Sequence, residues 1–391
     1  MANLLQEITR QELHRGLEDV VVDESGLSYI DGDAGRLVYR GYAIEDLASE
    51  GTFEETLYLL WHGELPDRDE LASFTATLAE ERAVPAGVAE MATELAAVDE
   101  DPMAALRTLV SMLSAYDREQ DAETEDTDAM LRKGRRVAAK LPTVLATFDR
   151  ARRGEEPVAP REDLGHGANF LYMLTGEEPT ETAVETFDTA LTLHADHGLN
   201  ASTFTTLVIA STYADVYNAV TGGIAALSGP WHGGANQDVM HTLMELDESG
   251  QDPVAWVKDA LEEGRRIPGW GHRVYHVKDP RAKILEARSE ALAESTGERK
   301  WHEYTTAVER YLTEEVGLPD NDIAPNVDFY SGSVYYQLGI PIDLYTPIFA
   351  MSRVAGWLAH ILEYVEENRL IRPRARYTGP ESREWTPMSE R

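Results

Sequence analysis

Three segments rich in glycine hold the residues best suited to chemistry. They are Gly229-Pro230-Trp231-His232-Gly233-Gly234-Ala235-Asn236-Gln237, Gly269-Trp270-Gly271-His272-Arg273-Val274-Tyr275 and Asn326-Val327-Asp328-Phe329-Tyr330-Ser331-Gly332. Glycine lets backbone approach a ligand closely, and loops of this kind carry function. Two imidazoles and one carboxylate are enough for acid–base chemistry on a carbonyl compound. Each also has a plainer reading. His232 sits just before an expected helix at 237–246 and reads as a packing residue in a turn. His272 reads as an exposed loop histidine, and Asp328 as a turn or cap former.

A fourth segment, His194-Ala195-Asp196-His197, invites a metal. On a helix, positions 194 and 197 face one side, as ligands do. Against this, no His-Glu-x-x-His is present, and Gly198 and Asn200 mark a helix end. A metal-dependent hydrolase built on His194, His197, His272 and Asp328 stands as the alternative of a different class.

The elements around these segments read as helices. Thr52 and Glu55 have capping-box spacing before Leu57, Leu60 and Trp61, and Pro66 follows as a stop. Residues 202–220 and 348–366 repeat apolar side chains at a helical period, and 281–293 are good helix formers. Near the start, Val20-Val21-Val22, Leu27 to Ile30 and Leu37 to Tyr39 read as short strands separated by Asp/Gly turns. Residues 117–128 are almost all polar and read as a solvated loop or helix end. No βαβ alternation appears, and the glycines at 222–234 lack dinucleotide or P-loop spacing. The fold class is mostly α with a small N-terminal β feature.

Composition narrows the function. At 391 residues the chain is long for one core and suggests two domains, and 43% hydrophobic residues argue against disorder. There is no cysteine, so disulfides, thiolate nucleophiles and Cys-bound zinc are excluded. The start of the chain lacks the basic-then-apolar pattern of a secretory leader, and no 18-residue apolar run exists. A cytoplasmic protein is expected. The formal charge is −35, with 70 acidic against 35 basic residues. Nucleic acid and anionic membranes are poor partners for such a surface. Lysine occurs only at 133, 140, 258, 278, 283 and 300, and the acid is spread along the whole chain. Both features favour adaptation to multimolar salt, where repulsion is screened within about 3 Å at 1 M.

Taken in order, the segments resemble the citrate synthase family over nearly the full length. The resemblance rests on Ile30-Asp31-Gly32 with Tyr39-Arg40-Gly41-Tyr42 and on Leu60-Trp61-His62-Gly63-Glu64-Leu65-Pro66. It continues through His194-Ala195-Asp196-His197-Gly198 with Asn200-Ala201-Ser202-Thr203, and through His232-Gly233-Gly234-Ala235-Asn236-Gln237. Gly271-His272-Arg273 with Asp279-Pro280-Arg281, and the Asn326 to Gly332 stretch, complete it.

The resemblance implies a citrate synthase fold in a homodimer, with a large helical domain (1–233 and 338–391) and a small one (234–337). It implies condensation of acetyl-coenzyme A with oxaloacetate, then thioester hydrolysis, with no cofactor beyond the coenzyme A thioester and no metal. A 2-methylcitrate synthase using propionyl-coenzyme A needs the same residues. Asp328 matches the base, His232 the enol stabiliser and His272 the group polarising the oxaloacetate carbonyl. His197, Arg281 and Arg353 match oxaloacetate contacts, and Arg372 matches one reaching across the dimer. Arg266, Ile267, Pro268, Gly269 and Trp270 fall where the family lines its adenine pocket, with Arg273 and Lys278 near the phosphates. Pro319-Asp320-Asn321-Asp322 departs from the family pattern, which often has lysine there, and so does His276.

Overall fold

The computed structural model describes residues 13–17 and 20–391. Residues 1–12, in which the sequence shows no leader pattern, lie outside the described residues. Ser25–Arg369 form one compact unit. The described residues up to Glu24, with Leu370–Arg391, form another.

The large unit opens with a three-stranded antiparallel sheet. β1 (Ser28–Asp31) pairs with β2 (Arg36–Tyr39) in a register that sets Ser28 against Tyr39 and Asp31 against Arg36. β2 then pairs with β3 (Tyr42–Ala43). The Asp31 carboxylate accepts the Ala34 amide at 2.9 Å and closes the turn between β1 and β2. The strand expected at Val20-Val21-Val22 does not form, and Val21 is exposed. β-branched residues favour a strand only where a neighbour pairs with them.

Sixteen α-helices follow among the described residues. The first six are α1 (Ile44–Glu50), α2 (Phe53–His62), α3 (Arg68–Glu80), α4 (Ala86–Ala97), α5 (Pro102–Leu113) and α6 (Thr127–Arg152). Next come α7 (His166–Thr175), α8 (Glu181–His194), α9 (Ala201–Ala210), α10 (Val216–Leu227) and α11 (Ala235–Ser249). The last are α12 (Pro253–Glu262), α13 (Pro280–Thr296), α14 (Lys300–Arg310), α15 (Val327–Gln337) and α16 (Tyr345–Glu366). The capping box read at Thr52 and Glu55 forms at the start of α2. The helical pattern over 202–220 is divided in two. Tyr213 takes a left-handed φ of 57°, and Asp215 caps α10 by accepting the Tyr217 amide at 2.8 Å.

α16 is the axis of the unit. It is buried along most of its length and packs on α2, α6, α8, α9, α10 and α11. Helices α11 to α15 pack on one another, and α13 and α15 also touch α8.

The polar stretch at 117–128 departs from its reading as a solvated loop at its first residues. Arg136 on α6 donates to both Asp117 oxygens at 2.7 Å and pairs with Glu119 at 2.8 Å. The Tyr217 hydroxyl adds a third bond to Asp117 at 2.5 Å. Asp117 and Arg136 are both buried, because here long-range pairing replaces water.

Candidate active site

Six side chains converge from six parts of the fold. His197 lies in the loop after α8. His232 is in the turn between α10 and α11, and His272 in the loop between α12 and α13. Arg281 and Asp328 occupy the first turns of α13 and α15, and Arg353 sits mid-way along α16.

Loop backbone brings His272 towards Asp328. Asn326 N–H donates to Gly269 O at 2.9 Å, and Gly271 N–H donates to Ala324 O at 2.8 Å. The Asn326 side-chain amide reaches Gly271 O at 2.9 Å while its oxygen caps α15 at the Asp328 amide. Gly269 permits the approach: its φ is +77°, and a Cβ there would lie 2.8 Å from Phe329 Cα.

The two catalytic-type histidines are held as opposite tautomers. His232 Nε2 lies 3.1 Å from the Ser202 amide, which can only donate. Nε2 is therefore unprotonated, and the ring proton is on Nδ1. Ser202 Oγ, 2.9 Å from the same nitrogen, accepts the Trp357 indole N–H at 3.1 Å. In His272 the roles reverse. Its Nδ1 accepts the amides of Val274 at 3.0 Å and Tyr275 at 3.2 Å, so Nε2 carries the proton. Burial, with the nearby Arg353 charge, lowers the His232 pKa to about 4. Burial, with Arg281, lowers that of His272 to about 4. Both rings are neutral donors at neutral pH.

His197 completes an aromatic corner. Its ring centroid is 5.3 Å from His272 and 5.6 Å from Tyr275, and its Nε2 is 3.4 Å from the Tyr275 hydroxyl. Burial first, then the charges of Arg281, His272 and Arg353, push its pKa well below the usual range. Its neighbour Asp196 is fully buried. It accepts the Ser28 hydroxyl and the Gly198 amide, and lies 3.2 Å from His360 Nε2 on α16. Burial opposes the Asp196 charge, but His360 and Arg353 outweigh it and hold the carboxyl at about 2.

The two arginines differ. Arg281 is buried and forked onto Asp279, with contacts of 3.0 and 2.7 Å. Arg353 is equally buried, yet among the described residues only its Nε donates a hydrogen bond, to His194 O at 2.7 Å. It has no ion-pair partner among the described residues. Its guanidinium lies 4.6 Å over the Phe349 ring, whose centroid is 6.5 Å from that of His232. Burial lowers the Arg353 pKa to about 10. Further along α16, the Gly356 amide donates to Ala195 O at 2.9 Å.

Asp328 is half-buried, and among the described residues its carboxylate accepts no hydrogen bond. Burial raises its pKa to about 6. Arg281 and Arg353 pull it down, and Asp279 pushes it up. A carboxylate so placed is a base for a weak carbon acid.

The family model described as "Citrate synthase, C-terminal domain" matches residues 16–374. The chain belongs to the citrate synthase family. It is an enzyme of that acyltransferase type. It is 61% identical to the citrate synthase of Haloferax volcanii, over 97% of this chain and 99% of that protein. It is 40% identical to 2-methylcitrate synthase 1 of Corynebacterium glutamicum, over 97% of this chain and 99% of that one. The crystal structure of citrate synthase from Pyrobaculum aerophilum matches with a TM-score of 0.90 at 40% identity, covering 97% of this chain and 95% of that one. The enzyme of Thermoplasma acidophilum, solved as a ternary complex with carboxymethyl coenzyme A and oxaloacetate, matches at 0.88 with 34% identity, over 97% of this chain and all of that one. The mostly helical citrate synthase fold expected from the motifs is the fold observed.

The metal-hydrolase alternative loses its ligand set to this geometry. His194 donates Nδ1–H to Ala190 O at 2.7 Å and packs on Phe349, while His197 faces the other way into the loop. Among the described residues no group of three or more His, Cys, Asp or Glu is arranged to hold a metal ion. No described helix is long and apolar enough to cross a membrane.

The residues read as coenzyme A contacts are scattered in character. Ile267 and Pro268 line a small apolar pocket with Leu243, Val257 and Phe329. Trp270 packs edge-on against Phe329. Arg266 and Arg273 are exposed. Lys278 is not a free cation, since its Nζ is held by Glu286 at 2.7 Å and Glu309 at 2.6 Å. Arg372 belongs to the smaller unit and is exposed there. Sequence reasoning missed Ser202, Trp357, Phe349 and Asp279 as parts of the site. Asp279 precedes Pro280 and caps α13 while it also forks onto Arg281, and an aspartate before a proline signals only the first of these roles.

Proposed function

We propose that the chain condenses acetyl-coenzyme A with oxaloacetate and hydrolyses the product thioester to citrate and coenzyme A. The observation that carries this reading is the pair of neutral imidazoles locked as opposite tautomers beside an unbonded carboxylate. Asp328 takes a proton from the acetyl methyl group. His232 donates Nδ1–H to the thioester oxygen, where charge develops as the enol forms. The enol carbon attacks the ketone carbon of oxaloacetate, and the new C–C bond pushes electrons onto the ketone oxygen. His272 supplies Nε2–H to that oxygen. Water then cleaves the thioester, releasing the coenzyme A thiol.

Oxaloacetate is a dianion at neutral pH. Arg353 has a buried charge lacking a carboxylate partner, and a substrate carboxylate satisfies it. His197 and the remaining donor of Arg281 take the other polar groups, with Arg372 contributed by the partner of a homodimer. Coenzyme A lies along 266–270, with Arg266 and Arg273 facing its phosphates in place of Lys278. Residues 234–337 are the small domain that closes on it. The chemistry calls for no cofactor beyond the thioester, and the enzyme works in the cytoplasm.

Steady-state turnover of the purified protein in molar KCl, with acetyl- and propionyl-coenzyme A in parallel, tests the reading. Higher kcat/KM with the acetyl thioester is expected. A preference for propionyl would make the chain a 2-methylcitrate synthase, a kind of enzyme to which it is 40% identical against 61% for the Haloferax volcanii citrate synthase. No thiol release from either would overturn both.

A further inference from the structure

The β1–β2 hairpin tip makes an unusually close contact. A Cβ built on Gly32 would fall 1.8 Å from Val274 O and 2.7 Å from Val274 C. Both are backbone atoms, so no side-chain rotation relieves the collision. Next to this contact, the His276 amide donates to Gly32 O at 3.1 Å. His276 Nδ1 also meets the Asp33 carboxylate at 2.8 Å. The turn touched at both ends, Val274 to His276, is the turn whose amides at 274 and 275 bond His272 Nδ1.

We propose that Gly32 is a positioning residue: the hairpin tip braces the 272–276 turn and thereby fixes which nitrogen of His272 faces substrate. The hairpin makes no claim on the ring itself. It packs on the carbonyl of Val274 and accepts the amide of His276, which fixes the peptide planes on either side of Tyr275 and so the direction of the amides at 274 and 275. With both amides on Nδ1, His272 cannot bind a proton there without losing them. The other groups facing the ring are His197, Tyr275, Arg281 and Asp279, and the brace leaves them in place. Only glycine fits at position 32, because the approach is backbone to backbone.

The inference rests on the reading of His272 as the carbonyl polariser. Wild-type turnover tests that reading, and a variant's profile relative to wild type tests the brace. The experiment is the pH dependence of kcat/KM for oxaloacetate in wild type, Gly32→Ala and Gly41→Ala. In wild type the acid limb has a slope of one below pH about 6, set by Asp328. Gly32→Ala is expected to lower kcat/KM on the order of 10²-fold, the scale of an ångström-sized misplacement. Its freed His272 no longer forfeits two amide bonds on taking a proton at Nδ1, so it titrates higher than in wild type and the acid limb steepens towards a slope of two at a higher pH than in wild type. Gly41, also in a hairpin turn, has nothing within 4 Å of where a Cβ would lie; its φ of +93° makes alanine strained there, so Gly41→Ala should lose stability but keep the wild-type slope wherever it is folded. If Gly32→Ala does not fold, Asp33→Ala is read in the same way, with a smaller loss and the same steepening. A wild-type slope in whichever of the two variants folds overturns the brace. So does a steepened slope in Gly41→Ala.

Discussion

Buried charge is handled in two opposite ways in this molecule. Around the start of α6 buried charges are matched. Arg136 serves Asp117 and Glu119, Tyr217 adds its hydroxyl, and Lys133 pairs with Asp215 at 2.7 Å. In the active site Arg353 has no ion-pair partner among the described residues, and Asp328 accepts no bond there. Leaving a charge unpaired in a low-dielectric setting costs several kcal/mol. Paired burial is what a fold needs, and unpaired burial is what a substrate needs, because the ligand brings the missing partner. The contrast is not unique to the site, since Arg82, buried against α6, also has no ion-pair partner among the described residues.

Three substitutions sharpen or break that contrast. The largest effect is expected from Asp328→Asn, which should lower kcat by about 10²–10⁴-fold, the range for losing a general base. It should also stabilise the protein. The folded-state pKa, about 6, lies above the unfolded value near 3.9, so the folded state favours the proton. Stability from the protonated form is full below pH about 4 and is lost as pH rises through about 6. Asparagine mimics that form at every pH. The variant should therefore gain about 1–3 kcal/mol at pH 7 and nothing at pH 4, read by denaturant unfolding at both. Equal stability at pH 7 would mean that ionised Asp328 is not strained by burial.

Arg136→Met comes next and should behave in reverse. Removing one member strands Asp117, costing about 3–5 kcal/mol of stability with kcat and KM unchanged wherever the protein is folded. Burial works against the Asp117 charge, yet its bonds to Arg136 and Tyr217 hold the carboxyl down at about 2. That stabilisation is present above pH about 4 and lost as pH falls through about 2, so the variant's deficit should shrink in acid. Denaturation midpoints across the acid range check it, and a deficit that does not change would assign the loss to packing.

Arg353→Met is the smallest and the most diagnostic. The methionine should raise the KM for oxaloacetate about 30-fold or more, the equivalent of at least about 2 kcal/mol. The ligand-free protein should become more stable, by about 1 kcal/mol, because a buried unpaired charge is gone. A variant that loses stability as Arg136→Met does would erase the distinction between the two regions.

Much of the site was legible because its chemistry sits in local sequence. His232, His272 and Asp328 are flanked by glycine, proline and a cap, and those flanks are what bring backbone amides within reach. The capping box of α2 and the positions of α13 and α16 followed from residue type and period. What could not be read is whatever depends on distant residues. Arg281 has its carboxylate two residues away in sequence, but the partner of Arg353 is a carbonyl of α8, 159 positions away. Lys278 looked available because Glu309 is 31 positions away. The polar run at 117 looked solvated because Arg136 and Tyr217 are contributed by α6 and α10. The break at Tyr213 was hidden because an apolar period persists on both sides of it.

One helix serves the whole site. On α16, Arg353, Gly356, Trp357 and His360 fall at i, i+3, i+4 and i+7, a single stripe. They hold, in turn, the His194 carbonyl, the Ala195 carbonyl, Ser202 beneath His232, and Asp196. Inserting one residue between Tyr345 and Arg353 would rotate everything after it by about 100° against α8 and α9. Arg353, His232 and the loop at 194–197 would then lose their supports in one event. Drift in length is thus open to the loops of this enzyme and closed to its last helix.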